Sequence, residues 1–258
     1  MANRSLERAA VLMFHGLILD ETKAEVPVRQ RKYWINARQF SRQLQEIAAA
    51  GYHVQSLDAF WHGANIENAS SGRSTVVTFD DGTASDYEIA FPRLLEAGAP
   101  ASFFLNTANV GTPGYLTWNE AREMQKHGMT FYSHGHEHVY LTRLDDAALA
   151  FQLRRSRQML EDNLGRPVDF FSPPFGDCNK RLLEASRAAG YKAVCTSRSL
   201  RARPGQPTVN RVAVYADSGP ETIRRMITGN SWFYAGRLAR AILIRVPKQI
   251  ILTKEYAS

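Results

Sequence analysis

A chain of 258 residues, with 44% hydrophobic and 22% charged side chains, has the balance of a soluble globular protein and excludes fibrous and disordered classes. Its net charge of +7 leaves an anionic partner open but says nothing about fold. Its two cysteines, Cys178 and Cys195, match no zinc or redox spacing, which excludes a cysteine-built site and points to a reducing compartment. The apolar run 9–14 is too short for the core of an export signal, and no stretch approaches the roughly 20 apolar residues that span a bilayer. A cytoplasmic location, peripheral to the inner face of a membrane if the basic end of the chain docks there, is the expectation.

The elements alternate along the chain. A strand at 10–14 precedes a helix at 37–50 closed by Gly51, and residues 59–74 read as a Gly/Asn/Ser-rich surface loop. Strand 75–79 pairs with helix 86–97, strand 101–105 with helix 117–126, and strand 129–133 with helix 145–164. Strand 168–172 precedes helix 179–189, strand 191–196 precedes a loop rich in Arg, Pro and Gly, and 209–214 reads as the last strand. Repeated strand and helix units predict a parallel sheet, and seven or eight of them can close a (β/α) barrel with its site at the strands' C-terminal ends. One barrel domain over 1–218 is expected, followed by a helical extension over 219–258. The run 237–252 within it is basic and apolar, with Pro247 ending a helix that packs on the barrel or touches a membrane or a biosynthetic complex.

Polar motifs fall at the ends of three of these strands. In Thr78-Phe79-Asp80-Asp81-Gly82, two carboxylates stand where an apolar strand stops and a glycine lets the chain turn. Neighbours leaving a strand point in different directions, so one acid can bind a metal while the other faces water. After the next but one strand comes Ser133-His134-Gly135-His136-Glu137-His138, in which His134 and His138 are four apart and, on a helical turn, would share one ion. One carboxylate and two imidazoles make a three-ligand hydrolytic site that suits Zn2+, with Co2+, Ni2+ or Mn2+ as alternatives. His136 would point away from the pair. In Ser172-Pro173-Pro174-Phe175-Gly176, two prolines stiffen a loop that can present the Phe175 N–H to an oxyanion, or simply cover the barrel mouth.

These three motifs, in this order, resemble those of the polysaccharide deacetylase family, also called the NodB-homology or carbohydrate esterase 4 group, over roughly residues 10–215. The resemblance implies an irregular (β/α)7 barrel and metal-dependent removal of N-acetyl groups from a saccharide, with release of acetate. It assigns Asp80 as general base, Asp81, His134 and His138 as metal ligands, and the Phe175 amide as part of the oxyanion hole. No nucleic acid partner is implied.

The chain departs from the family pattern at three places. Ser172 stands where an arginine usually opens the third motif, Gly135 follows the first histidine in place of Ser or Thr, and no histidine occurs after His138 to supply the usual late general acid. In a branch resembling poly-N-acetylglucosamine deacetylases, an early strand ends in Tyr-His and that histidine is the acid; here Phe14-His15 occupies the place, which makes His15 the general-acid candidate. The last strand of that branch reads like Asn210-Arg211-Val212, so Arg211 is the candidate partner for Asp80, with a surface salt bridge as its other reading. A catalytically impaired glycan binder and an amide or ester hydrolase of another substrate class are the alternative functions.

Overall fold

The computed structural model describes residues 8–19, 26, 28, 30–63 and 73–240. The first strand, β1 (Ala10–Phe14), is fully buried, as its unbroken apolar run demands. Two-residue strands β2 (Leu17–Ile18) and β3 (Ile35–Asn36) pair with each other and lead into α1 (Ala37–Ala49), where the Asn36 side chain caps the first turn. Strand β4 (His53–Gln55), short helix α2 (Leu57–Trp61) and long strand β5 (Ser74–Asp81) follow.

Beyond β5 the chain repeats one unit. A π turn at Asp86–Ala90 runs into α3 (Phe91–Glu96), then come β6 (Ser102–Leu105), α4 (Trp118–Lys126), β7 (Thr130–Ser133), α5 (Asp146–Leu164), β8 (Phe170–Phe171), α6 (Lys180–Ala188) and β9 (Ala193–Thr196). Strands β10 (Thr208–Asn210) and β11 (Val212–Ala213) and helix α7 (Pro220–Thr228) end the labelled elements, and residues 231–240 form a further helix. Thr117 and Asp145, expected as first helical residues, serve instead as N-caps whose side chains accept from the backbone of the first turn.

Every pairing in the main sheet is parallel, in the order β10-β9-β8-β7-β6-β5-β1-β11. Residues 208–213 close the ring, because Asn210 pairs with Thr196 of β9 while Val212, two residues on, pairs with Leu12 of β1. Arg211 stands at the crossing. With β4 set aside and β10 and β11 taken as one interrupted strand, seven strands line an irregular (β/α) barrel. Strand β1 occupies one edge of β5, so β4 and β6 share the other, at its start and its end.

Several expected boundaries shift. The helix expected over 86–97 begins as a π turn; Pro92 has no N–H to give to a carbonyl one turn back, so the regular ladder cannot run through it. The single last strand expected over 209–214 is divided at Arg211, where pairing passes from one neighbour to the other. In the loop expected over 59–74, residues 59–61 belong to α2 and 64–72 lie outside the described residues, as do 241–258 of the basic apolar end.

A row of phenylalanines fixes which face of each strand looks inward. Phe14, Phe79, Phe103 and Phe131 are register partners on β1, β5, β6 and β7, with successive ring centroids 5.3, 5.0 and 5.6 Å apart. Phe40 of α1 packs edge-on against the first two, so this row faces the helices. Side chains alternate along a strand, and Thr78 and Asp80, flanking Phe79, therefore point into the barrel. Replacing Phe79 by Ala removes a fully buried ring that touches three others. The expected loss is about 3–5 kcal/mol in urea unfolding; a change well under 1 kcal/mol would mean that this row does not hold the sheet to its helices.

Candidate active site

The barrel interior below the mouth holds a buried ion pair. Arg211 donates from Nη1 to Asp80 Oδ1 at 2.6 Å and from Nη2 to Asp80 Oδ2 at 2.8 Å, a two-point contact between side chains that are 0% and 4% exposed. Its Nη2 also donates to Ser172 Oγ at 2.6 Å, its Nη1 lies 3.3 Å from Thr78 Oγ1, and the guanidinium stands over the Phe104 ring. Ser172, at the position where the family pattern has arginine, is thus an acceptor for an arginine delivered from the closing strand. The surface reading of Arg211 does not hold. Burial alone would push the Asp80 carboxyl up; the adjacent Arg211 charge and then His134 outweigh it and hold the group below its ordinary range.

Asp81 escapes the alternation of its strand. Continued regular pleating would send it outward with Phe79, but its φ of 80° turns the backbone into the left-handed region. Gly82 continues the turn at φ 69°, and a Cβ there would lie 2.6 Å from Leu105 Cδ2, so the motif's glycine answers both to conformation and to space. Asp81 Oδ1 ends 3.4 Å from His134 Nε2 and 3.4 Å from His138 Nε2. Burial acts to raise its pKa; the hydrogen bond and charge of His134 reverse this and leave it well below the usual carboxylate range.

The two histidines do not share a helical turn. Residues 134–139 form an irregular bend, and Gly135 adopts φ 85°, which an α-helix cannot contain. His134 is 3% exposed and donates from Nδ1 to the Ser172 carbonyl at 2.8 Å, which leaves Nε2 as the free nitrogen. His138 is more open, 34% by side chain, and its ring meets Phe175. His136 turns aside, with Nδ1 2.9 Å from Thr107 Oγ1 and its ring edge against Phe151.

One ligand atom from each of Asp81, His134 and His138 lies within 4.8 Å of the others, a group able to hold a metal ion. The spacing fits. Tetrahedral coordination with bonds of about 2.1 Å separates ligand atoms by roughly 3.4 Å, and both Asp81 distances to imidazole nitrogen match that edge.

His15 follows β1 at the same end of the barrel. Its ring packs on Tyr33 at 4.7 Å between centroids, and its Nδ1 is buried with no protein partner. Burial lowers its pKa below the ordinary imidazole value against the pull of Asp81 and Asp80. Phe175 has φ 61°, the second residue other than glycine with positive φ among those described, and it too borders the cluster. Its ring stacks on Tyr140 at 4.0 Å. The two backbone bonds of its turn, Gly176 N–H to Pro173 O and Asp177 N–H to Pro174 O, do not use the Phe175 N–H.

Three contributors carry no signal of their own in the motifs. Asn106, directly after β6, donates from Nδ2 to the His134 carbonyl at 2.6 Å; a polar residue at the C-terminal end of an apolar strand was the available clue. Tyr33 reaches His15 from a segment with no regular pattern. Asp86, fully buried below the Asp81 turn and 3.5 Å from Thr83 Oγ1, has its pKa raised well above normal, first by burial and then by Asp81.

Residues 67–194 match the family model described as polysaccharide deacetylase. That stretch carries all three motifs and is a polysaccharide deacetylase domain. It is 28% identical over 127 residues to YxkH of Bacillus subtilis, named as a polysaccharide deacetylase, covering 49% of this chain and 46% of that protein. It is 24% identical over 176 residues to the poly-beta-1,6-N-acetyl-D-glucosamine N-deacetylase of Staphylococcus aureus, covering 63% and 60%. The chain therefore spans between about half and three-fifths of the length of these relatives. Among solved structures, the Streptococcus pyogenes deacetylase PplD superposes with a TM-score of 0.76 at 22% identity, over 86% of this chain and 98% of that one. IcaB from Ammonifex degensii gives 0.73 at 26%, over 85% and 97%. The irregular barrel is the deacetylase fold.

Two buried groups of the barrel, the Asp80–Arg211 pair and Asp86, bear on its stability. Arg211→Met strands a buried carboxylate and is expected to cost about 3–5 kcal/mol in urea unfolding, with most of it recovered in the double variant Asp80→Asn/Arg211→Met; additive losses would show that the pair is not coupled. Asp86 keeps its proton in the folded state after the unfolded chain, with a pKa of about 3.9, has lost it. Its contribution is therefore full below that value and declines as pH rises toward the raised folded value. Asp86→Asn should gain on the parent protein as pH increases from about 4 to 7; a constant difference in Tm across that interval would exclude a protonated Asp86.

Proposed function

We propose that this protein is a metal-dependent hydrolase that removes an N-acetyl group from an N-acetylated saccharide and releases acetate. The observation that carries this reading is the adjacency of two unlike carboxylates: Asp80 clamped by Arg211, and Asp81 turned toward His134 and His138. A base beside a metal-ligand set is what amide hydrolysis by water needs, and a simple glycan-binding groove does not. The name of the Staphylococcus aureus relative, an N-deacetylase of poly-beta-1,6-N-acetyl-D-glucosamine, supports an N-acetylated amino sugar as the substrate class.

Asp81, His134 and His138 would hold the ion, with Zn2+ as the best match to two imidazoles and a carboxylate. When bound, it supplies Lewis-acid polarisation of the acetyl carbonyl. Asp80, kept ionised by Arg211, takes a proton from the attacking water as the new C–O bond forms. The Phe175 N–H donates to the carbonyl oxygen as it gains charge. His15 gives a proton to the departing nitrogen as the C–N bond breaks, leaving acetate and a free amine. Burial lowers the His15 pKa, so its imidazolium is a stronger acid than an ordinary histidine's and is populated less at neutral pH. Arg211 does not touch the reacting atoms and acts as a positioning residue through Asp80.

Acetate release from N-acetylglucosamine oligomers tests the reading. Removal of bound metal by chelator should abolish turnover and re-addition restore it, while Asp80→Asn should lower the rate by on the order of 10²- to 10⁴-fold. His15→Ala should keep its metal content and lose turnover on a similar scale. Chelator-insensitive release would overturn the metal assignment, and an unchanged rate in His15→Ala would remove that histidine from the chemistry.

A further inference from the structure

The chain's whole net charge resides in one stretch. Between residues 222 and 254 there are seven Arg and Lys and no Asp or Glu, so the remaining 25 cations are matched by 25 acids. Part of this stretch lies on the barrel's side. Helix α7 buries Ile223, Met226 and Ile227, while Arg224 pairs with Glu46 of α1 and Arg225 with Glu221, both cations about half exposed. The 231–240 helix then returns along the barrel. Its inner side carries Tyr234, whose hydroxyl donates to Met226 O, and Arg237, which donates to Ala213 O at 2.8 Å and stands over the Tyr215 ring.

The outer side of that helix is unusual for a surface. Trp232 is 85% exposed, and Ala235, Gly236 and Ala239 follow at helical spacing, so the outward stripe carries no charge until Arg240. A groove of about 600 Å³ joins Trp232 and Phe233 to Arg224, Arg225, Asn230 and the acid Glu221. The sequence beyond continues the theme, with Arg245 and Lys248 set among Ile242, Leu243, Ile244, Ile250 and Ile251. No helix among the described residues is long and apolar enough to cross a membrane.

We propose that α7 and the 231–240 helix form a docking surface for an anionic lipid bilayer. The combination favours this occupant: a tryptophan beside cations suits the headgroup boundary, an uncharged stripe suits shallow insertion, and unbalanced positive charge suits an anionic surface. A soluble polyanion would meet the cations and leave the apolar stripe in water. The helix ends beside Ala213 and Tyr215, and Tyr215 packs on Tyr33, which packs on His15. Docking along it would bring the barrel mouth to the lipid surface.

The test is sedimentation of the full chain with phosphatidylcholine vesicles containing about one-third phosphatidylglycerol, against pure phosphatidylcholine. Binding is expected on the anionic vesicles alone and should weaken with salt. Arg240→Glu should weaken partitioning by on the order of 25-fold, and Trp232→Ser should weaken it several-fold even at high salt. Both variants should melt as the parent does and release acetate from soluble oligomers at its rate, which separates failure here from failure of the deacetylase reading. Absence of vesicle binding at low salt would overturn the proposal. So would undiminished binding by the charge-reversed variant, a lipid-free dimer lost in Trp232→Ser, or equal affinity for heparin and vesicles.

Discussion

A carboxylate aimed into a closed barrel needs a cation inside with it, and the Asp80–Arg211 pair meets that condition at the position where the ring closes. Burying either charge alone is strongly unfavourable, so the two are interdependent. Arg211 stands between two short strands that pair with different neighbours, and its guanidinium also holds Ser172. The contact therefore ties three consequences together: the last strand is brought against the first, the third motif is located, and Asp80 stays ionised. The closing strand thus supplies a partner that the family pattern draws from the third motif, and the Ser172 of that motif is left as an acceptor for it.

Around that pair, the site is made by departures from regular backbone. Asp81 and Phe175 are the non-glycine residues with positive φ among those described, and both border the histidines. Such conformations cost on the order of 1–3 kcal/mol each and persist because neighbouring structure holds them: Gly82 and Leu105 below Asp81, and Tyr140 with the two prolines beside Phe175. Rigid strands set the height of each motif, and the irregular residues set direction. The His134 carbonyl and ring are likewise fixed from two sides, by Asn106 and by the Ser172 carbonyl.

Much of this was legible in local sequence. The apolar runs of β1 and β5 and the glycine that closes α1 are short-range signals, and a barrel of seven or eight strands follows from the repetition of strand and helix; that Asn36, Thr117 and Asp145 act as caps was seen only in the structure. The Asp81, His134 and His138 cluster was legible because its members sit in two compact motifs at strand ends. What stayed hidden was either very short or strained. Strands of two or three residues such as β2, β3 and β4 carry too few side chains to show a period. The helical reading of 134–138 failed because spacing alone cannot reveal that Gly135 takes a left-handed conformation.

By itself, then, the sequence determined which residue types stand at which strand ends, because periodicity and turn chemistry act over a few positions. It named Asp80, Asp81, His134, His138 and His15 as candidates, and it placed the excess of positive charge near the end of the chain. Only the tertiary structure decided that Arg211 lies within 2.6 Å of Asp80, that Tyr33 packs on His15, and that the charge-free stripe from Trp232 to Ala239 faces outward. Residues 131 positions apart meet because a ring of strands closes, and closure depends on the packing of the whole sheet.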